Sequence, residues 1–387
     1  MRVELQEISK VIMGQSPKGE SYNQDGIGLP LLNGAADYKG NIFKPKKHTS
    51  EPTRVSQKGD ILLGIRATIG NFAFSDSEYC IGRGVAAIRV DEKKAHKGYI
   101  LKCIERELSR IIHRAAGSTI KGIKKEDLTE MKLNLPPLDQ QKKIAAILDA
   151  ADAYRQKTKA LIEKYDELTQ SLFLDMFGDT WTNPMGWDFY LVEDLAAKEK
   201  HSIKAGPFGS SLKKEYYVES GYKIYGQEQV IKDDLSFGDY YIDESKFLSL
   251  KNCKVKEGDI LISLVGTYGK IAIVPENYEQ GIINPRLMKI TPNQEIIRPD
   301  FLKTLLRSSG VLLQTKNKSR GGTMDIVNVG IMRKIKVPLP PLELQNQFAE
   351  RVQVIEAQKA QAQGSLDQAE DLFNSLLQRA FKGELTN

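Results

Sequence analysis

Two long stretches of the chain carry apolar residues at alternating spacings of three and four, the pattern of a helix that buries one narrow face against another helix. In the first, Ile144, Ile147, Ala151, Tyr154, Thr158, Leu161, Tyr165, Leu168 and Leu172 form the stripe. In the second, Phe348, Val352, Ile355, Ala362, Leu366, Ala369, Phe373 and Leu376 follow the same rhythm. Lys359 is the one long polar member of that stripe, and Gly364 is a weak point worth about 1 kcal/mol against alanine. A helix of some 40 residues is roughly 60 Å long, more than a compact domain usually contains, so each stripe needs a partner.

The two stretches open and close alike. Leu135-Pro136-Pro137-Leu138 and Leu339-Pro340-Pro341-Leu342 begin them. A residue before proline avoids the α region and proline fits a first helical position, so each reads as extended chain feeding a helix. Asp139 and Glu343 put a carboxylate in the first turn, where the helix dipole favours it. Ser171-Leu172-Phe173-Leu174-Asp175-Met176-Phe177-Gly178 answers Ser375-Leu376-Leu377-Gln378-Arg379-Ala380-Phe381-Lys382-Gly383, and a glycine ends each. The expected arrangement is an antiparallel coiled coil of the two copies, which would bring the C-terminus close to residue 1. The alternatives are that each stripe packs on its own globular segment or on another protein.

The intervening segments show strand and turn patterns that recur. Lys58-Gly59-Asp60-Ile61-Leu62-Leu63-Gly64-Ile65 reads as a turn and a buried strand, Ile69 to Phe74 as the next strand, and Val85 to Val90 as another. Tyr99 to Ala115 has helical periodicity, 117–125 reads as a loop, and Met131 to Leu135 as a last strand. In the second segment Glu257-Gly258-Asp259-Ile260-Leu261-Ile262 answers residues 58–63, and Gly266-Thr267-Tyr268-Gly269-Lys270 answers 67–71. Phe301-Leu302-Lys303 aligns with Ile100-Leu101-Lys102, and Gly321-Gly322-Thr323-Met324 with Gly117-Ser118-Thr119-Ile120. The division is therefore 1–134, 135–178, 179–338 and 339–387: two globular α+β segments in tandem, joined and separated by two long helices in a pseudo-two-fold, nearly circular chain. Frameworks that agree while loops differ suggest two binding modules with different targets.

Composition changes this picture little. The 387 residues carry a net charge of +6, compatible with nucleic acid but too mild to argue for it alone. No apolar run reaches the roughly 18 residues that cross a bilayer, and Met1-Arg2-Val3-Glu4 lacks a signal-peptide pattern, so a cytoplasmic location is expected. Cys80, Cys103 and Cys253 are far apart and support neither a disulfide framework nor a zinc site. His48, His96, His113 and His201 do not stand at metal-ligand spacing. Gly266 to Lys270 lacks the earlier glycine and the following hydroxyl of a phosphate loop. Leu135 to Leu138 lacks the amide and aromatic ring of the Asn-Pro-Pro-Tyr motif of amino-group methyltransferases.

The combination of Lys-Gly-Asp-Ile-Leu, Gly-Ser-Thr-Ile-Lys-Gly-Ile, Leu-Asn-Leu-Pro-Pro-Leu with Gln141, and a long helix ending Ser-Leu-Phe-Leu-Asp-Met-Phe-Gly resembles the specificity (S) subunit of type I restriction-modification enzymes. The ending Ala380-Phe381-Lys382-Gly383-Glu384-Leu385 is similar too, although Gln140 and Leu344 stand where an acidic residue is often found. The resemblance implies a non-catalytic subunit with two target recognition domains, each reading half of a gapped site in double-stranded DNA. It also implies helices that set the gap and dock two methyltransferase subunits, together with restriction (motor) subunits. No cofactor is then expected on this chain; S-adenosylmethionine, ATP and Mg are expected on the partners. A coiled-coil scaffold with two protein-binding domains is the alternative.

Candidate DNA contacts are basic residues in loops and at strand corners: Lys121, Lys124 and Lys125; Lys316, Lys318 and Arg320; a run including Lys46 and Lys47 with Lys39, Lys44 and Arg54; and Arg66 and Lys270. Arg83 and Arg286 are candidate base readers, since arginine is the commonest specific contact to guanine.

Overall fold

A computed structural model describes every residue except 35, 67–68, 115–121, 265–268, 319–327 and 386–387, with the backbone only at 109–111, 113–114 and 316–318. The chain divides into two compact units, Met1–Lys157 with Ser365–Asn387, and Thr158–Gly364. Each unit therefore holds one globular segment and parts of both long helices, Leu138–Phe177 and Leu342–Lys382.

The first unit contains two sheets. In the four-stranded one, Phe72–Phe74, Ile61–Gly64, Val85–Val90 and Ser9–Met13 lie in that order, all antiparallel. Ile61 to Leu63 and Val85 to Ile88 are fully buried because both faces of this sheet are covered. Ile61, Leu63, Ala86 and Ile88 face the helix Lys97–Arg114 through Tyr99, Ile100 and Ile104. Leu62, Val85 and Ala87 point the other way, to Leu32, Tyr38 and Ile81 around the five-stranded sheet. The side-chain period of two, read against two cores, is why these strands are apolar without alternation.

The second unit repeats this order. Ile271–Ile273, Ile260–Ser263, Leu287–Ile290 and Ile203–Ala205 form its four-stranded sheet. Its other sheet keeps one parallel pair, Tyr222–Tyr225 with Gly281–Ile283, as the first unit keeps Leu29–Leu32 with Tyr79–Ile81. The Gly-Asp pair of both copies has a structural task. Asp60 accepts the backbone N–H of Gln57 at 2.8 Å and binds the Arg89 guanidinium through both oxygens at 2.9 and 2.8 Å. Asp259 accepts from Lys256 N at 2.9 Å and from Lys289 Nζ at 2.9 Å. The preceding Gly59 and Gly258 have φ of +90° and +75°, the left-handed region that a side chain disfavours.

The long helices run antiparallel within each unit. In the first, Arg155 lays its guanidinium 4.4 Å from the Phe373 ring, and Ile144, Ala145 and Leu148 share a core with Ala380 and Phe381. Leu385 packs against the same core, which also holds Val3 and Leu5. In the second, Lys359 reaches Asp166 at 2.6 Å, while Phe173 and Phe177 meet Phe348 with centroids 5.8 and 5.4 Å apart. Residue numbers rise on one helix as they fall on the other. Gly178 and Gly383 end the helices with φ of +77° and +79°.

On the second helix Phe348, Val352, Ile355, Ala362, Leu366, Ala369 and Phe373 are buried, with Leu376 and Lys359 half-buried. The first helix needs a correction. Ile144, Ala151, Thr158, Tyr165 and Leu172 are buried or half-buried, whereas Ile147, Tyr154, Leu161 and Leu168 are 37, 55, 43 and 50% exposed. The inward column lies one residue later, at Leu148, Arg155, Ile162, Thr169 and Met176. Positions three and four ahead lie on either side of the same face, and the apolar choice at three concealed the column at four, which includes the polar Arg155 and Thr169. Arg155 fits there because its stem and planar head cover an aromatic ring. A second correction concerns the segment ending at Lys125, which starts a short helix, Lys125–Thr129, instead of continuing as a loop.

Candidate nucleic-acid interface

In the first unit three strands of the four-stranded sheet end at one corner. Gly14 N donates to Val85 O at 2.9 Å, Ile65 N to Gly84 O at 3.0 Å, and Ile123 N to Ile65 O at 2.9 Å. These bonds draw residues 13–14, 65–66, 83–84 and 122–124 around a recess of about 290 Å³, lined by Met13, Gly14, Ile65, Arg66, Arg83, Gly122, Ile123 and Lys124. Glycine is required at Gly14, where a Cβ would lie 2.2 Å from Gly82 O. The close backbone approach leaves room on the surface side for Arg66, Arg83 and Lys124, all exposed. Among the described residues no carboxylate pairs with these three cations. Three basic side chains from separate parts of the sequence thus converge on one recess whose own lining carries no carboxylate, Asp127 accepting the Lys124 backbone N–H at 2.7 Å just outside it, and the net positive lining is suited to a polyanion.

The second unit builds the same corner with other residues. Gly206 N donates to Leu287 O at 2.9 Å, Leu264 N to Arg286 O at 2.9 Å, and Ser263 N to Lys270 O at 3.1 Å. Arg286 occupies the backbone place of Gly84 and Lys270 that of Asn71, since Gly64 N donates to Asn71 O at 2.9 Å. Both cations are exposed. Gln227 and Ser263 join beside them through a 2.7 Å hydrogen bond. Among the described residues the two corners share these backbone hydrogen bonds and differ in the charged side chains they carry.

Other candidates fall elsewhere. Lys46 and Lys47 are exposed at the five-stranded sheet, with Lys47 Nζ 5.6 Å from the Tyr22 ring, and do not line the recess. Lys125 is exposed beside Lys124. Lys121 and Arg320 lie outside the described residues, as do the side chains of Lys316 and Lys318. Sequence reasoning missed the glycines under the recess; the bond of Gly14 to the strand carrying Val85 is a long-range contact without a local signature.

A second recess, about 240 Å³, lies in the second unit between Phe173, Thr169, Val352, Ile273 and Arg307. Its carboxylates Asp166, Asp300 and Glu356 offset Lys303 and Arg307, so it lacks the unbalanced positive charge of the corners. Cys103 is buried, which pushes its thiol up to about 12 and keeps it protonated at neutral pH.

The family profile described as type I restriction modification DNA specificity domain matches residues 1–165 and 184–370. The EcoBI specificity subunit of Escherichia coli is 24% identical over all of this chain and 86% of its own length. A putative MjaX specificity subunit from Methanocaldococcus jannaschii is 37% identical over 43% of this chain and 40% of that relative. The crystal structure of a type I restriction-modification S subunit from M. genitalium superposes with a TM-score of 0.58 at 17% identity, covering 98% of this chain and 96% of its own. The tandem sheets, the paired helices and the two matched regions agree: the chain belongs to the type I restriction modification DNA specificity domain family.

Proposed function

We propose that this chain selects the DNA sequence on which a type I restriction-modification complex acts, each unit reading one half of a bipartite site in double-stranded DNA. The observation that carries this reading is the repeated corner: one backbone construction presents Arg66, Arg83 and Lys124 in the first unit and Lys270 with Arg286 in the second. A common frame with different side chains is what two readers of different half-sites require. The arginines are suited to guanine edges and the lysines to phosphates.

In this reading the chain carries out no chemistry. Methyl transfer, with S-adenosylmethionine and base flipping, belongs to two methyltransferase subunits, and ATP and Mg belong to restriction subunits. The helices Leu138–Phe177 and Leu342–Lys382 pass from one unit into the other and are proposed to fix the gap between half-sites and to carry the methyltransferases. Deleting one heptad from both is expected to change the gap in the methylated sequence, and an unaltered gap contradicts that role.

The test is a gel-shift titration of the chain with its methyltransferase subunits against random and genomic DNA at several salt concentrations. Sequence preference that survives competitor supports the reading. Binding without preference overturns it in favour of a protein-binding scaffold.

A further inference from the structure

The second unit's corner continues into a turn with an exposed aromatic residue. Phe208 is 86% exposed, on the surface turn Gly206-Pro207-Phe208-Gly209. A ring so fully in water forfeits hydrophobic burial on a turn that is otherwise anchored. Pro207 before it and Leu212 after it are buried, Ser211 N donates to Phe208 O at 2.8 Å, and Leu212 N to Gly209 O at 3.3 Å. The turn is therefore held at both ends while its aromatic tip stands free.

Its position ties it to the corner. A Cβ on Gly206 would lie 1.9 Å from Asn284 O and 3.0 Å from Pro285 N, so Gly206 is pressed against the residues that lead into Arg286. Phe208 follows two residues later. Exposed Lys213 and Lys214 come after the turn, Lys213 with Glu215 at 3.6 Å. The other half lacks the tip. Gly14 is the counterpart of Gly206, and Lys18 of Lys213, because Ser21 N donates to Lys18 O as Tyr216 N donates to Lys213 O. Between these anchors the first unit has only Gln15, Ser16 and Pro17, and the second has Pro207 to Leu212. The longer segment carries the aromatic residue to the surface beside the basic corner.

We infer that Phe208 is a wedge that enters the base stack of the half-site read by the second unit. The inference rests on the DNA-reading role proposed above. An apolar ring cannot bond phosphate, but it replaces base–base contact when inserted at a step, while the adjoining cations hold the strands on either side. Flexible pyrimidine–purine steps unstack most easily, so the wedge adds selectivity at a step that no hydrogen-bonding side chain reads.

The experiment uses the chain assembled with its methyltransferase subunits and a duplex carrying the site mapped by methylation sequencing. 2-Aminopurine replaces, one position at a time, the adenines of the half-site assigned to the second unit. Wild type is expected to raise the fluorescence of the probe at one step. F208A is expected to abolish that rise and weaken binding about tenfold, the scale of one aromatic–base stack, while F208W retains both. An unchanged melting temperature for F208A confirms that its exposed side chain was not supporting the fold. Preferential binding by wild type with no fluorescence rise at any position, or F208A equal to wild type in both measurements, overturns the wedge and leaves the DNA-reading role intact. A wild-type complex without sequence preference removes that role, and the wedge with it, before any variant is measured.

Discussion

The side-chain oxygen of Gln345 accepts the backbone N–H of Arg298 at 2.9 Å, and its amide nitrogen donates to Pro340 O at 2.9 Å. One buried amide thus ties the start of a long helix to the start of the helix Pro299–Leu306. Gln141 repeats the arrangement, accepting from His96 N at 2.8 Å and donating to Pro136 O at 2.8 Å. The Leu-Pro-Pro-Leu stretch and the glutamine six residues after its first leucine therefore form one device. Q345L leaves one backbone donor, Arg298 N–H, and two backbone acceptors, Pro340 O and Ile296 O, without their partner and is expected to cost the second unit about 1–3 kcal/mol. Q345E is expected to fall between leucine and wild type, since a carboxylate accepts but cannot donate. Thermal unfolding followed by circular dichroism checks both, and a melting temperature for Q345L equal to wild type contradicts the assignment.

Phe348 is the point where the paired helices meet the second globular segment. Its ring lies edge-on to Phe173, Phe177 and Phe301, with centroids 5.8, 5.4 and 6.3 Å away. F348A is expected to cost about 3–5 kcal/mol and F348L much less, because leucine fills most of the cavity. Denaturant titration of the two variants measures the difference. Equal midpoints would show that the cluster is not packed as described.

The second unit is expected to lose stability in acid. The Lys223 ammonium hydrogen-bonds Glu279, and with help from the Tyr241 hydroxyl holds its carboxyl below the usual glutamate range. A carboxylate with a depressed folded pKa contributes stability above its unfolded value, near 4.5, and that contribution is lost as pH falls through the folded value. Glu279 is half exposed, so solvent screening keeps the effect to about 1 kcal/mol or less. E279Q is expected to melt a few degrees below wild type at pH 7, and the gap is expected to close as pH falls below the unfolded value and through the lower folded one. A gap that widens in acid reverses the sign and excludes the ion pair as its source.

The basic corner of the first unit makes a prediction separable from the second. R66A and R83A are each expected to weaken DNA binding by the assembled complex. Loss of a phosphate contact flattens the salt dependence by about one unit of slope and acts on all sequences alike. Loss of a base contact costs about 1–3 kcal/mol and relaxes preference at one position. Salt titrations with matched and mismatched duplexes distinguish these roles for Arg66 and Arg83, and no effect of either variant removes the corner from the interface.

Much of this architecture was legible in the sequence because it depends on period and repetition. The stripe from Phe348 to Leu376 contains almost only apolar residues, so its spacing alone orients the second helix. The first helix was half legible: its inward column includes Arg155 and Thr169, which a hydrophobicity pattern rejects, although Arg155 packs its guanidinium on Phe373. The sequence marked Arg66, Arg83 and Lys124 as basic loop residues without revealing that they share a recess, since hydrogen bonds such as Gly14 to Val85 and Ile123 to Ile65 join distant segments. The Gly-Asp motif was visible as a turn, but Arg89 and Lys289, which hold its carboxylates, stand about 30 residues away on another strand.

The most direct test of two independent readers is exchange of residues 1–134 for the corresponding segment of a related chain, followed by methylation sequencing of cells that express the hybrid. One half of the methylated site is expected to change while the other half, read by the second unit, stays as it was. A change in both halves, or in neither, contradicts the account.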